Sequence, residues 1–250
     1  MQISKTIARE LALEGADVAI VARGLPRLEQ AARELSKETG RKIVPIQADT
    51  GSDDEVKAMV AQVAKTFGRI DILVINGAPS VRDGALDDVI KLFAEAANVK
   101  VLGYLRCARD VAPHMKRQGW GRIINIGGLA YRKAGAYGIG IRNAAITVIT
   151  KNRADELGPS GINVTGVHPG ATRTEATAGV LEAAAKQQGI TVEELERKAF
   201  TQGDYANVIG KRVDSREIAY LVAFLASPKS IAISGDSLAA GGGVRGSIYY

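Results

Sequence analysis

Short, uniformly apolar runs alternate along the chain with longer stretches whose apolar residues recur every third or fourth position. DVAIVA (17–22) reads as a buried strand, and LPRLEQAARELSKETG (25–40) as a helix closed by a glycine. KIVPIQA (42–48) is the next strand, and Pro45 inside it removes a ladder donor, which predicts a sheet edge. Ser52 to Glu55 has the spacing of a capping box and opens the helix that follows. DILVIN (71–76) and GRIINIG (121–127) are further buried strands, with a helical stretch over 87–116 between them. Residues 136–157 read as helix, and GINVTGVHPG (161–170) as a strand running into a loop. Thr191 to Glu194 and Asp214 to Glu217 are two more capping boxes, each starting a helix. Ahead of the first strand, MQISKTIARELALEG carries the apolar stripe Ile3, Ile7 and Leu11 and stops at Gly15, so it is a helix.

Strands near 18, 43, 72, 123 and 163, separated by helices, predict one α/β domain over residues 1–250 with a doubly wound parallel sheet. Ligands of such a sheet bind outside the carboxyl ends of its strands. The chain's 250 residues, 46% hydrophobic and 24% charged, exclude a disordered or fibrous protein. The formal net charge of +6 is spread among acidic residues, which predicts a solvated basic surface and no nucleic-acid partner. No apolar run is long enough to span a bilayer and the first residues do not form a signal peptide, so a cytoplasmic protein with no membrane partner is expected. The single cysteine, Cys107, excludes an intrachain disulfide and is compatible with a reducing compartment.

The motifs at the strand ends, taken in order, resemble the short-chain dehydrogenase/reductase family, in particular its 3-oxoacyl-ACP reductases, over nearly the whole chain. DILVING (71–77) is similar to the family's strand-four signature, which would place Asn76 and Gly77 beside the cofactor. Asp49, with Thr50 next to it, matches the aspartate that approaches the adenine ring. Asn98 in AANVKVLGYL falls at the family's catalytic asparagine, and Tyr137 at its catalytic tyrosine. GINVTGVHPGATRTE (161–175) resembles the stretch that contacts the nicotinamide, with Pro169, Gly170 and Thr174 as its cofactor residues. IAYLVAFLAS (218–227) and ISGDSLAAGGG (233–243) resemble the last helix and strand. The resemblance implies a Rossmann-like fold and an oxidoreductase that moves a hydride between a nicotinamide cofactor and a small carbonyl or alcohol. Arg23 and Arg27, with no acid beside them, favour NADP as cofactor, with NAD as the alternative.

The family's chemistry also shows where this chain departs from the pattern. A tyrosine hydroxyl, which normally titrates near about 10, handles the proton, assisted by a lysine one helical turn later. Here that place holds Ile141, and Arg142 is rotated away by about 100°. Gly128 occupies the place of the serine that polarises the substrate oxygen, and Ser80 is the hydroxyl proposed near the same mouth. Gln2-Ile3-Ser4 stands where the glycine-rich phosphate loop should end, so the first strand and its loop are expected to be missing. Without that central strand two sheet edges would lack partners, so either the native start lies upstream or another segment or subunit closes the gap.

Two readings follow, an NAD(P)(H)-dependent reductase or a catalytically impaired relative acting as an assembly partner with weak or no nucleotide binding. In this family the helices matching 87–116 and 136–157 pack between subunits, so both readings imply a homodimer or homotetramer. His114, His168 and Cys107 lack metal-ligand spacing and are read as structural, so no metal is expected. No G-x-S-x-G elbow is present, which argues against an esterase. The run from Lys116 to Arg122, with Trp120, reads as a solvated loop. Residues 176–208 match the variable substrate lid, where Leu181, Leu195 and Phe200 would form either an apolar substrate surface or a plain helical hairpin packed on the core.

Overall fold

A computed structural model describes residues 2–77, 86–132, 137–203 and 205–245. Helix α1 (Gln2–Leu13) leads into strand β1 (Val18–Ala22), α2 (Leu25–Thr39) and β2 (Ile43–Gln47). Next come α3 (Asp53–Phe67), β3 (Ile72–Ile75), α4 (Leu86–Ala97), α5 (Gly103–Gln118) and β4 (Gly121–Ile126). The second half adds α6 (Tyr137–Leu157), β5 (Ile162–Pro169), β6 (Thr172–Arg173), α7 (Glu175–Gln188) and α8 (Val192–Thr201). It closes with β7 (Val213–Asp214), α9 (Ser215–Ala226) and β8 (Ser237–Ala240).

Local chemistry sets these boundaries. Ser52 Oγ accepts the amide of Glu55 at 3.3 Å to cap α3, but the Glu55 carboxylate turns to the Asp49 amide at 2.9 Å, so only half of the expected box forms. At α9 the box is reciprocal, because Asp214 accepts from the Arg216 amide and Glu217 accepts from the Asp214 amide. The long stretch over 87–116 is interrupted by a π-helical turn, Asn98–Leu102, between α4 and α5. Such turns concentrate at functional sites.

Strands β3, β4, β5 and β8 form one parallel sheet in that order, and β1 pairs with β2 in a separate parallel ribbon. Pro45 lies in β2, whose partner among the described residues is β1, as expected of an edge. The sheet is therefore divided, since no described strand lies between β1 and β3, and a cavity of about 930 Å3 opens between those two strands. One face carries α1, α2 and α9. Ile7 and Leu11 of α1 pack with Ile218 and Val222 of α9 on Ile124 and Ile126. Val56, Met59, Val111, Ile146 and Ile149 of α3, α5 and α6 cover the other face. Thus α1 packs on its neighbours along the stripe read from the sequence.

Two expectations are corrected here. Arg122 does not belong to a solvated loop: it opens into β4, is 1% exposed, lies over Trp120 at 4.6 Å and donates to the Gly121 carbonyl at 2.8 Å. Phe200 does not line a substrate surface. It is 1% exposed, against the Tyr205 ring and beneath the Arg212 guanidinium, so it is packed between α8 and the segment that follows it. Its aromatic area is better buried there than left on an exposed surface. Among the described residues no helix is long and apolar enough to cross a membrane.

Candidate active site

The parallel strands bring the motifs to one end of the sheet. At the end of β1, Arg23 is exposed and makes a long 3.8 Å ion pair with Asp49, which follows β2. Asp49 also accepts the Gly51 amide at 2.8 Å, and Thr50 donates to the Val99 carbonyl at 3.3 Å. These contacts tie the end of β2 to the π-helical turn. Asn98 starts that turn and its side chain is occupied at both ends. It donates to the Gly51 carbonyl at 3.0 Å and accepts from Arg106 at 2.8 Å. The structure therefore places Asn98 as a brace between neighbouring segments.

At the end of β3, Asn76 donates to Ser4 Oγ at 2.8 Å, which fastens the first turn of α1 over the mouth of the divided sheet. The Gly77 carbonyl accepts a long bond from Tyr104 at 3.4 Å, while the same hydroxyl donates to the Ile126 carbonyl at 2.6 Å. Gly170 follows β5 and its amide reaches the Ala240 carbonyl at 3.1 Å. A Cβ there would lie 2.8 Å from the Gly241 backbone, so the glycine lets two chain segments meet. The Thr174 amide donates to Thr177 Oγ1 at 3.1 Å at the start of α7. Tyr137 heads α6 and is 64% exposed. Ser80 lies outside the described residues.

Behind these residues lies a buried polar cluster that the sequence does not announce. The Gly128 amide donates to His168 Nδ1 at 3.1 Å, and Thr147 Oγ1 is 3.3 Å from Nε2. Burial pushes His168 down to about 4, with the Gly128 carbonyl, 3.4 Å from Nδ1, opposing the shift and the charges of Arg132 and Lys100 adding to it. Lys100, in the π-helical turn, donates to the carbonyls of Ile126 at 3.3 Å and Gly127 at 3.5 Å. Burial, helped by the nearby charge of Arg142, lowers it to about 8. A Cβ at Gly128 would lie 3.0 Å from Asn143 Nδ2, so the position that lacks the expected serine is narrow. Sequence reading treated His168 as structural and passed over Lys100. A lysine inside an otherwise apolar helix face was the available signal for the latter.

The layered sheet with its motifs at the carboxyl ends defines a doubly wound α/β class whose ligands bind at the strand ends. The family described as enoyl-(acyl carrier protein) reductase matches residues 2–245, and the chain belongs to this short-chain dehydrogenase/reductase family. It is 34% identical over 252 residues to the 3-oxoacyl-(acyl-carrier-protein) reductase FabG of Staphylococcus aureus, covering 97% of this chain and 93% of that one. It is 30% identical over 254 residues to the NADPH-dependent reductase BacG of Bacillus subtilis, covering 98% and 95%. L-sorbose reductase from Gluconobacter frateurii, solved with NADPH and L-sorbose, superposes with a TM-score of 0.90. That match covers 99% of this chain and 94% of the other at 24% identity, and it establishes the fold.

Proposed function

We propose that this chain is an NADP-dependent reductase of small carbonyl compounds, with NAD as the weaker alternative and a soluble cytoplasmic oligomer as its working form. The carrying observation is Arg23, an exposed guanidinium at the end of β1 whose ion pair with Asp49 is long enough to be exchanged for a phosphate. Kinship with FabG and BacG supports the reaction class.

The residues at the adenosine end fit such a cofactor. Arg23 would take the ribose phosphate and Asp49 the adenine, while Thr50, Asn76 and Gly77 would line the path toward Pro169, Gly170 and Thr174. The phosphate path itself has no glycine-rich turn among the described residues, and Ser4 with Asn76 stands at that point. Bound there, a nicotinamide supplies the hydride. Tyr137 would then give its hydroxyl proton to the oxygen of the substrate, completing an alcohol. Asn98, held between Gly51 and Arg106, keeps the π-helical turn in place and, if its side chain were released, would hold a water for that proton. The α7–α8 hairpin, within 176–208, would cover the substrate.

Titration with NADPH and NADH, followed by nucleotide fluorescence, tests this reading. NADPH is expected to bind more tightly, and Arg23→Glu to weaken it by about tenfold to hundredfold while sparing NADH. Tyr137→Phe is expected to lower kcat by about a hundredfold or more without moving nucleotide affinity. Failure of both nucleotides to bind at millimolar concentration would overturn the proposal. Unchanged turnover of the Tyr137 variant would remove the tyrosine from the chemistry.

A further inference from the structure

Two buried polar side chains approach the Gly127–Gly128 peptide at the carboxyl end of β4, and the protein leaves both short of partners. Asn143 of α6 is 5% exposed, and its Nδ2 lies 3.0 Å from where a Cβ on Gly128 would stand. Its side chain has no hydrogen-bond partner among the described residues. The other buried asparagines, Asn125, Asn163 and Asn207, donate to Thr150, to the Ile231 carbonyl and to the Lys211 carbonyl. A buried amide with nothing to bond is rare in a folded protein. Lys100 is 7% exposed and reaches the same peptide from the π-helical turn. Its ammonium has three donors, and two of them make the long bonds to Ile126 and Gly127. The third has no partner among the described residues.

Charge and position define what would complete this site. Both side chains arrive from the face of the sheet covered by α5 and α6. Facing Lys100 are Arg142 of α6, Tyr104 of α5 and His168 of β5. No carboxylate among the described residues offsets its charge. A buried cation without a counter-charge, beside an amide N–H without an acceptor, is suited to an oxygen that carries or gains negative charge. Gly127 and Gly128 are themselves only half-buried, so the peptide between them is open toward the mouth at the strand ends.

We propose that Lys100 and Asn143 together hold the carbonyl oxygen of the substrate, the ammonium and the amide N–H stabilising the negative charge that gathers there during reduction. The inference rests on the reductase reading above and adds to it the two groups that replace the hydroxyl absent at Gly128. As the carbonyl is reduced, the π pair of its C=O bond moves to oxygen, which then takes the Tyr137 proton. Lys100 keeps its own proton throughout and acts by charge alone. This use also accounts for a lysine whose burial is so weakly compensated in the empty site, because the substrate oxygen is the partner that offsets it.

Acetate is the first probe, because its carboxylate presents a negative oxygen without reacting. In the full chain with isotope-labelled lysine, followed by NMR, millimolar acetate is expected to raise the Lys100 titration by about one pH unit or more. Asn143→Leu should weaken that binding about tenfold. The second probe is ethyl acetoacetate with NADPH. Lys100→Met is expected to lower kcat about a hundredfold or more while nucleotide affinity stays within about twofold. Wild-type turnover should fall as pH rises through about 8, and Lys100→Arg, which keeps the charge, should move that fall upward by about one unit or more. A Lys100 titration that acetate leaves unmoved would overturn the proposal, as would full turnover of Lys100→Met. If neither nucleotide binds, or the ester is not reduced by the wild type, the reductase reading is what fails, and the response of Lys100 to acetate alone upholds or overturns the site.

Discussion

Replacing Lys100 with methionine is expected to stabilise the protein at neutral pH. Burial holds the ammonium down to about 8, against 10.5 for an ordinary lysine. A folded-state value below the unfolded one means that the unfolded chain binds the extra proton between those limits. Wild-type stability therefore rises as pH climbs from about 8 to 10.5. At pH 7 the charged lysine costs up to about 3 kcal/mol, from a displacement of this size at about 1.4 kcal/mol per unit. Its compensation is small, because its two bonds to Ile126 and Gly127 are long, at 3.3 and 3.5 Å. Removing the ammonium leaves Ile126 with its bond from Tyr104 at 2.6 Å. For a domain of this size each kcal/mol is worth about 2–4 °C, so Lys100→Met should raise Tm by roughly 4–10 °C. The variant should also lose the alkaline rise in stability. Thermal melts of both proteins from pH 6 to 10 check this, and a lower Tm or a surviving rise in the variant would contradict it.

The same sign holds for His168 over another window. Its folded value of about 4 lies below 6.5, so stability is lost as pH falls from 6.5 toward 4. The two buried bases thus give the wild-type profile two separate limbs. Both belong to the polar cluster behind the strand ends, where desolvation outweighs the available hydrogen bonds.

The fold was legible because parallel strands buried on both faces must be uniformly apolar, and DVAIVA, DILVIN and GRIINIG have that character. Pro45 announced its edge and Gly40 its helix end through backbone chemistry, which is local. The site was legible only as an address. Asp49, Thr50, Asn76 and Gly77 fall at strand ends because strand ends are set by the apolar pattern, but their partners are set by packing. Nothing in AANVKVLGYL shows that Asn98 would be taken up by Gly51 and Arg106. Nor does the sequence show that Lys100 would reach across to β4 from a π-helical turn. Arg122 misled for a related reason. A guanidinium reads as solvated in one dimension, whereas here it lies over Trp120 and is satisfied by backbone carbonyls.

Gly127→Ala is expected to destabilise the protein more than its size implies. A Cβ on Gly127 would stand 2.3 Å from His168 Nδ1 and 2.4 Å from Cε1, well inside contact distance. The ring has no free space to retreat into, being 0% exposed, 4.7 Å from the Tyr131 ring and 3.3 Å from Thr147 Oγ1. Overpacking of this kind costs about 1–3 kcal/mol. Pushing the imidazole aside also breaks its bond from the Gly128 amide, worth about 1 kcal/mol. Together these lower Tm by roughly 4–16 °C in a domain of this length. Gly128→Ala is the internal comparison, because its Cβ would meet Asn143 at 3.0 Å and a small side-chain movement relieves it. Removing the ring should separate steric from backbone causes. In the double variant Gly127→Ala/His168→Ala, the alanine at 127 should cost at least about 1 kcal/mol less than it does with histidine present, a coupling that a mutant cycle reads directly. Equal costs in the two backgrounds would show that the glycine is required for the course of the backbone rather than for the histidine.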